Sequence, residues 1–117
     1  MGVMDPTDAP HVTDLAAEQR YEATIGGVHA GSLEYVVKHG RLALIHTEVG
    51  PEYEGRGVGS ALIRFGLDEA RRQGLQVIPT CPFVRSYVES HPETHDVVIG
   101  MPPEPAAPAR AGEASAS

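Results

Sequence analysis

Three glycines stand at alternate positions in the segment EVGPEYEGRGVGSALI. Gly55, Gly57 and Gly59 follow a strand-like run that ends at Val49, and a helix-like apolar pattern begins at Val58. Glycine adopts positive φ and carries no Cβ, so such a loop can turn several backbone N–H groups toward one point. The first turn of a helix adds unpaired N–H groups and a positive dipole end. The pattern therefore predicts an anion site, best suited to phosphate or pyrophosphate.

These glycines also have a simpler interpretation and two alternative ligands. A tight turn alone would need only one glycine, so a run of them favours a ligand over a turn. A nucleotide P-loop needs a Lys followed by Ser or Thr, whereas Gly59 is followed by Ser60-Ala61. A dinucleotide site needs G-x-G-x-x-G, and here its last position falls on Ser60 or Leu62. Both the P-loop and the NAD-type site are therefore disfavoured.

Two short turns divide the chain before the glycine loop into three strands. The strands are predicted at Arg20–Ile25, which alternates in polarity, at Val28–Val37, and at Arg41–Val49, which is rich in Leu, Ile and Val. Gly26-Gly27 and His39-Gly40 are typical of tight hairpin turns. Strands joined by such short turns run antiparallel, so this part is predicted to form a β-meander.

The hydrophobic period changes to that of a helix from Val58 onward. Arg71-Arg72 and a Gly74 cap end this helix, and Leu75–Pro79 is predicted to be a short buried strand. That strand would lie parallel to the third strand and complete a β-α-β unit. A second helix over Pro82–Ser90 begins with proline, which suits a first turn. The sequence therefore predicts an α+β (α/β-like) fold with a mixed central sheet.

Composition separates one domain from two terminal segments. Residues 1–14 are polar and turn-rich, and residues 101–117 form a Pro/Ala-rich tail, so we expect both segments to be disordered. Residues 15–100 are expected to form the single domain.

Charge and cysteine content limit the expected partners and location. A net charge of −7 without a basic cluster disfavours nucleic acid and anionic membranes. No apolar run approaches the roughly 20 residues of a membrane span. The start MGVMDPTDAP also lacks the apolar core of a secretory signal. Cys81 is the single cysteine, so no internal disulfide can form, and a cytoplasmic location is expected.

The glycine loop resembles the acetyl-CoA-binding motif Q/R-x-x-G-x-G/A of the GNAT superfamily of N-acetyltransferases. The motif here reads Glu54-Gly55-Arg56-Gly57-Val58-Gly59, with an acid where the family usually has Gln or Arg. Arg56 is then expected to supply the missing positive charge. The stretches HTEVGPEYEGRGVG and CPFVRSYVESHPE extend the resemblance to the small single-domain branch, over residues 20–98. The resemblance implies a GNAT-like acyl-CoA N-acyltransferase fold.

The resemblance also implies an activity and a cofactor site. An acetyl group would pass from acetyl-CoA to a primary amine by direct attack, without a metal and with an unknown acceptor. The pantetheine arm would pair with the backbone of Thr47 and Val49, in a wedge between two parallel strands. The pyrophosphate would lie beside Gly55 and meet the amides of Arg56, Gly57, Val58, Gly59 and Ser60.

A second hypothesis is a CoA-binding module with little or no catalysis, which serves regulation or partner binding. Glu54 and the small size of the chain favour it. Full GNAT enzymes usually have helices between their first two strands, and here only Gly26-Gly27 separates the strands. An open acceptor site would suit an exposed amine on a protein as well as a small molecule.

Three residues are candidates for the implied chemistry. Tyr87 matches a tyrosine that the superfamily commonly places near the CoA sulfur, so it would be the acid, although a core tyrosine bonded elsewhere is the alternative. Glu48 ends the third strand and would be a partly buried base with His46 beside it, although a solvated strand-end acid fits as well. Cys81 is expected to pack, or to line the thioester site, rather than to form an acetyl-cysteine intermediate.

Two histidines near the end of the domain have a spacing that metal sites use. His91 and His95 form H-x-x-x-H, but this spacing aligns two rings only on a helix, and Pro92 breaks one. We therefore expect these histidines to cap or position the terminal segment rather than to bind a metal.

Overall fold

The computed structural model describes residues 9–100, which form one five-stranded sheet and two α-helices. The elements in chain order are β1 (His11–Leu15), a 3₁₀ turn (Ala16–Glu18), β2 (Arg20–Ile25), β3 (Val28–Lys38), β4 (Arg41–Val49), a 3₁₀ turn (Pro51–Tyr53), α1 (Val58–Gln73), β5 (Gln76–Pro79), α2 (Pro82–Glu89) and a 3₁₀ segment (Pro92–Val97). The predicted strands and helices are confirmed, with small differences at their ends. Residues 1–8 and 101–117 lie outside the described residues, so the disorder expected there stays a prediction.

The strands lie in the sheet in the order in which they occur along the chain. β1, β2, β3 and β4 are antiparallel neighbours, and β5 pairs in parallel with β4 from Arg41↔Gln76 to Leu44↔Pro79. The direction changes at β5 because helix α1 carries the chain back across the sheet before β5 begins. The predicted meander, the β-α-β unit and the mixed sheet are therefore confirmed.

The boundary predicted at residue 15 is wrong, because His11–Leu15 forms an edge strand of the sheet. Val12 pairs with Ala23, and Asp14 accepts a hydrogen bond of 2.6 Å from the Tyr35 hydroxyl. An edge strand contributes little to the core and needs few apolar residues, so the polar composition of this segment did not indicate a strand.

Helix α1 packs one apolar face on the sheet and carries several of the most buried side chains. These residues are Val58, Leu62, Ile63, Leu67 and Ala70. Full burial of such a side chain contributes about 1.5–3 kcal/mol for the larger ones. The helix ends at Gly74, which has φ +71°, as the sequence predicts. Arg71 in the last turn donates to Asp96 at 3.0 Å, and so ties the C-terminal segment to the helix.

A β-bulge in β4 changes which residues face α1. Tyr35 pairs with Leu44 and Glu34 pairs with His46, so β4 contains one extra residue, Ile45, at this point. Leu44 faces α1, because its side chain lies against the helix at Gly66. Beyond the bulge, Thr47 pairs with the fully buried Leu33 and shares its face. Thr47 and Val49 therefore face the α1 side, and His46 and Glu48 face the opposite side of the sheet.

Candidate functional site

Gly55 and Gly57 hold the loop between β4 and α1 in the left-handed region. Both have φ +80°, and no other atom lies within 4 Å of the place where either would carry a Cβ. Their backbone angles require glycine, since L-residues with a side chain rarely adopt them. The open space beside these two positions is the cavity described below.

Gly59 is a glycine for a different reason. It lies within α1, and a Cβ there would be 2.8 Å from Cζ of Phe83 and still closer to Cε2. The missing side chain lets the first turn of α1 and the first turn of α2 come into contact. All three glycines were expected to belong to one anion-binding loop, and the packing role of Gly59 was not predicted.

The positive end of the α1 dipole is not neutralised by a side chain of the helix's own first turn. Gly57 is the N-cap, it makes no side-chain cap, and the first turn holds no acidic residue. The Ala61 N–H donates to the Gly57 carbonyl at 3.0 Å. The amides of Val58, Gly59 and Ser60 come before this bond and have no partner within the helix. Their N–H groups and the helix dipole favour a negative charge at this end.

The structure corrects the expectation for the Arg56 amide. This N–H donates to the Tyr53 carbonyl at 3.2 Å, so it is used within the loop and does not add to the helix amides. The Arg56 guanidinium lies over the Tyr53 ring, 5.6 Å from the ring centre, in a cation–π contact. The side chain thus stays close to the loop, over Tyr53, which lines the cavity described below.

A cavity of about 540 Å³ lies between the loop, β4 and the start of α2. Its lining residues are Thr47, Val49, Tyr53, Glu54, Gly55, Gly57, Val58, Gly59, Ser60 and Phe83. All the predicted cofactor-binding residues except Arg56 therefore line one cavity. Tyr53 and Phe83 were not predicted as site residues. Phe83 was counted only as an apolar position of the second helix, although its place next to Pro82 sets it at the helix start.

The cavity exists because β5 is shorter than β4. The last β4–β5 pair is Leu44↔Pro79, and the Cys81 N–H then donates to the Leu44 carbonyl at 2.9 Å. The Thr80 N–H turns back to the Ile78 carbonyl at 2.9 Å instead of bonding to β4, so the regular pairing ends here. The residues from Ile45 to Val49 extend beyond the end of β5, and the cavity lies beside this stretch of β4.

Cys81 caps α2 and lies beside the cavity wall, although it does not line the cavity. Its Sγ is 3.4 Å from Oγ1 of Thr47, and the residue is only 4% exposed. Burial raises the pKa of the Cys81 thiol, but hydrogen bonds from the Thr47 hydroxyl and from the amides of Val84 and Phe83 outweigh it. The pKa of this thiol is therefore lower than the usual value for cysteine.

Glu48 lies on the opposite face of the sheet from the glycine loop. Its carboxylate is 3.4 Å from Nε2 of His46, and its side chain is 72% exposed, so the partial burial expected for it is wrong. Glu48 borders a second cavity of about 490 Å³, together with His29. Thr47 and Val49 line both cavities, so the two meet at the end of β4.

Tyr87 is not among the residues that line the main cavity. Its ring stacks on the ring of His91, with centres 3.9 Å apart and planes 8° apart. It borders a smaller cavity of about 190 Å³ next to Leu67 and Arg71 of α1. The geometry therefore gives no support to Tyr87 as the acid beside the cofactor, because its side chain packs at a different place.

The histidines near the C-terminus cap helix α2. Nδ1 of His91 donates to the Tyr87 carbonyl, and Nε2 of His95 donates to the Val88 carbonyl, each at 2.7 Å. The capping role predicted for these histidines is confirmed, because both bind backbone carbonyls in the last turn of α2. Within residues 9–100, no group of three His, Cys, Asp or Glu side chains could hold a metal ion.

The two α-helices of the described region are too short or too polar to cross a bilayer.

The chain was compared with known proteins. Residues 20–97 match the family model described as GCN5-related N-acetyl-transferase, which covers more than half of the chain. The chain belongs to this family. Among curated relatives, Protein NATD1 of Xenopus tropicalis is 28% identical over 92 residues, which are 76% of this chain and 84% of NATD1. The Mus musculus protein of the same name is 31% identical over 77 residues, which are 63% of this chain and 69% of its own.

A solved structure supports the fold of this family member independently. The NMR structure of a GCN5-like protein from Staphylococcus aureus is similar with a TM-score of 0.62 and 23% identity. The match covers 79% of this chain and 90% of that chain, so nearly the whole of a small GCN5-like domain has a counterpart here. Members of the family use acyl-CoA.

Proposed function

We propose that this protein binds acetyl-CoA in the main cavity and transfers the acetyl group to a primary amine. The proposal rests on one observation: three elements border the same cavity. These elements are the unpaired end of β4, the loop with Gly55 and Gly57, and the uncapped first turn of α1. Family membership supports the choice of an acyl-CoA over other phosphate ligands.

The chemistry of the lining residues fits the two parts of the proposed ligand. The pyrophosphate needs donors, and the amides of Val58, Gly59 and Ser60 supply them without an internal acid in the first turn. The pantetheine arm needs apolar contacts and backbone partners, and the β4 end supplies both at Thr47 and Val49. Glu54 lies among the lining residues and opposes an anion, and the Arg56 guanidinium over the Tyr53 ring is the positive charge that we propose to offset it.

The proposed reaction forms a bond between the amine nitrogen and the acetyl carbon and breaks the bond between that carbon and sulfur. The amine loses a proton, and the leaving thiolate gains one. Glu48 is the base that we propose, acting through water, because it borders the second cavity where an amine would approach. An exposed carboxylate can accept the proton and pass it to solvent. Thr47 lies where the two cavities meet, and the Cys81 thiol lies behind it at 3.4 Å from its hydroxyl; the Thr47 hydroxyl is the polar group that we propose to lie nearest the sulfur.

A CoA-binding module without efficient turnover is the second candidate. Two observations favour it: Tyr87 lies away from the cavity, and Glu48 is exposed rather than held in a site of low polarity. In this case the protein would bind CoA and acetyl-CoA, and the open second cavity would face a partner. We place either activity in the cytoplasm, with an amine on a small molecule or a protein as the acceptor in the first case.

Two measurements on the same preparation test the proposal. Thermal melts with acetyl-CoA, CoA, NAD and ATP identify the ligand, since a ligand at 100 times its Kd adds about 2.7 kcal/mol to the free energy of unfolding. Thiol release from acetyl-CoA with a panel of amines then measures turnover. Stabilisation by CoA and acetyl-CoA with amine-dependent thiol release supports the transferase. Stabilisation without thiol release supports the binding module, and stabilisation by NAD or ATP alone contradicts both.

A further inference from the structure

Phe83 is exposed in an unusual place. Its side chain is 48% exposed although it lies in the first turn of α2 and lines the main cavity. Val37 is an equally exposed apolar residue, at 48%, and does not line this cavity. The Phe83 ring also touches α1, where it fills the space that a side chain at position 59 would take.

The position of the Phe83 ring is fixed from both ends. Two residues before it, the Cys81 N–H is bonded to the Leu44 carbonyl, which attaches the start of α2 to β4. On the other side, the ring edge lies against the backbone of Gly59. The ring therefore lies against the first turn of α1 and forms part of the cavity wall.

We propose that Phe83 positions the pantetheine arm of CoA, and that Gly59 is a glycine so that this ring can lie against α1. The inference rests on the proposed function. The ring presents apolar surface to the cavity that Thr47 and Val49 of β4 also line. A pantetheine arm bound along the end of β4 would cover the apolar surface of the ring, and the removal of that surface from water would favour binding. A cavity held open by a fixed ring would also cost less ordering when the ligand binds.

Two ligands and two single variants test this role. Coenzyme A and 3′-phosphoadenosine 5′-diphosphate share the nucleotide and the pyrophosphate, and only the first carries pantetheine. Titration calorimetry of F83A should show binding of CoA weakened about tenfold, because roughly half of a phenyl surface loses its contact. Binding of 3′-phosphoadenosine 5′-diphosphate should stay within about twofold of the wild type. F83L should recover part of the CoA affinity. V37A, at a residue as exposed as Phe83, should change the affinity for neither ligand.

A double-mutant cycle tests the pairing with Gly59. G59A should weaken CoA binding in the wild-type background, because the new Cβ collides with the ring. In the F83A background the collision is absent, so G59A should add little further loss. Equal and additive losses in both backgrounds would overturn the pairing.

The outcomes separate this inference from the function on which it rests. Wild-type protein that binds neither ligand would overturn the proposed function, and the role of Phe83 with it. Wild-type binding with an equal loss of both ligands in F83A would mean that the ring only supports the loop. Unchanged CoA affinity in F83A would also contradict the inference and leave the proposed function intact.

Discussion

An alanine at Gly57 should weaken CoA binding, whereas a matched alanine at Gly40 should not. Gly57 and Gly40 have nearly the same backbone, with φ +80° and +75°, and neither has an atom within 4 Å of its Cβ position. Gly57 lines the main cavity, whereas Gly40 lies in the turn between β3 and β4. The two substitutions therefore place a Cβ at a similar positive φ, and only Gly57 lines the cavity.

The expected sizes follow from these features. A residue with a Cβ in the left-handed region costs about 1–2 kcal/mol, so G57A and G40A should lose similar free energies of unfolding. For a domain of 60–100 residues, each kcal/mol lowers Tm by about 4–8 °C. G57A should also weaken CoA binding about tenfold or more, because the added methyl group lies where the anion approaches the helix amides, and each tenfold is about 1.4 kcal/mol. G40A should bind CoA like the wild type.

Thermal melts give the stability of each variant, and calorimetric titration with CoA gives its affinity well below the Tm. CoA binding by G57A that equals the wild type would refute the argument, because the ligand would then not approach the loop. A loss of affinity in G40A as large as in G57A would refute it equally, since strain alone would explain both. Only a selective loss in G57A supports a ligand role for the loop.

Three further variants test the chemistry and the fold. E48Q should lower kcat for amine acetylation about tenfold or more and leave the KM for acetyl-CoA nearly unchanged, since a general base contributes to the chemical step. E89Q, on the exposed surface of α2, is the control. A kcat of E48Q equal to that of the wild type would exclude Glu48 as the base. C81A should retain most of kcat under direct attack, and its complete loss, with an acetylated Cys81 in mass spectra of the wild type, would instead indicate a covalent intermediate. Burial, and then the hydrogen bond to Asp14, raise the pKa of Tyr35 to about 12. The contribution of Tyr35 to the free energy of unfolding should therefore be constant below about pH 10 and fall between about pH 10 and 12, because the tyrosine ionises first in the unfolded chain. Y35F should reduce this loss in urea titrations at several pH values, and an unchanged pH dependence would contradict the assignment.

The sequence predicted the parts of the fold that rest on local patterns. β2 and β4 were predicted at the observed residues, because alternating or continuous apolar runs lie between strong turn signals. The cap at Gly74 followed from the end of a helical pattern. β1 was missed because an edge strand is held by backbone pairing to β2, which leaves little trace in the pattern of apolar residues.

The candidate site was predictable only where its residues act through the backbone. The loop glycines are detectable because a positive φ restricts the residue type. The place of Tyr87 could not be predicted. Phe83 and Tyr87 lie one turn apart on α2 but border different cavities, and the stacking of Tyr87 on His91 depends on the 3₁₀ segment that follows α2. The packing of Phe83 on Gly59 joins residues 24 positions apart, and no local pattern reports such a contact.

The β-bulge at Ile45 explains how one strand serves both sides of the proposed reaction. Without the extra residue, the alternation that puts Leu44 on the α1 face would also put Glu48 there and would turn Thr47 away. With it, Thr47 lines the main cavity and Glu48 borders the second, although they are neighbours in sequence. Because β5 ends at Pro79, no strand within residues 9–100 closes the edge of β4 at this level. A thioester from one side and an amine from the other could therefore meet past the end of β5, with the proposed base on the amine side.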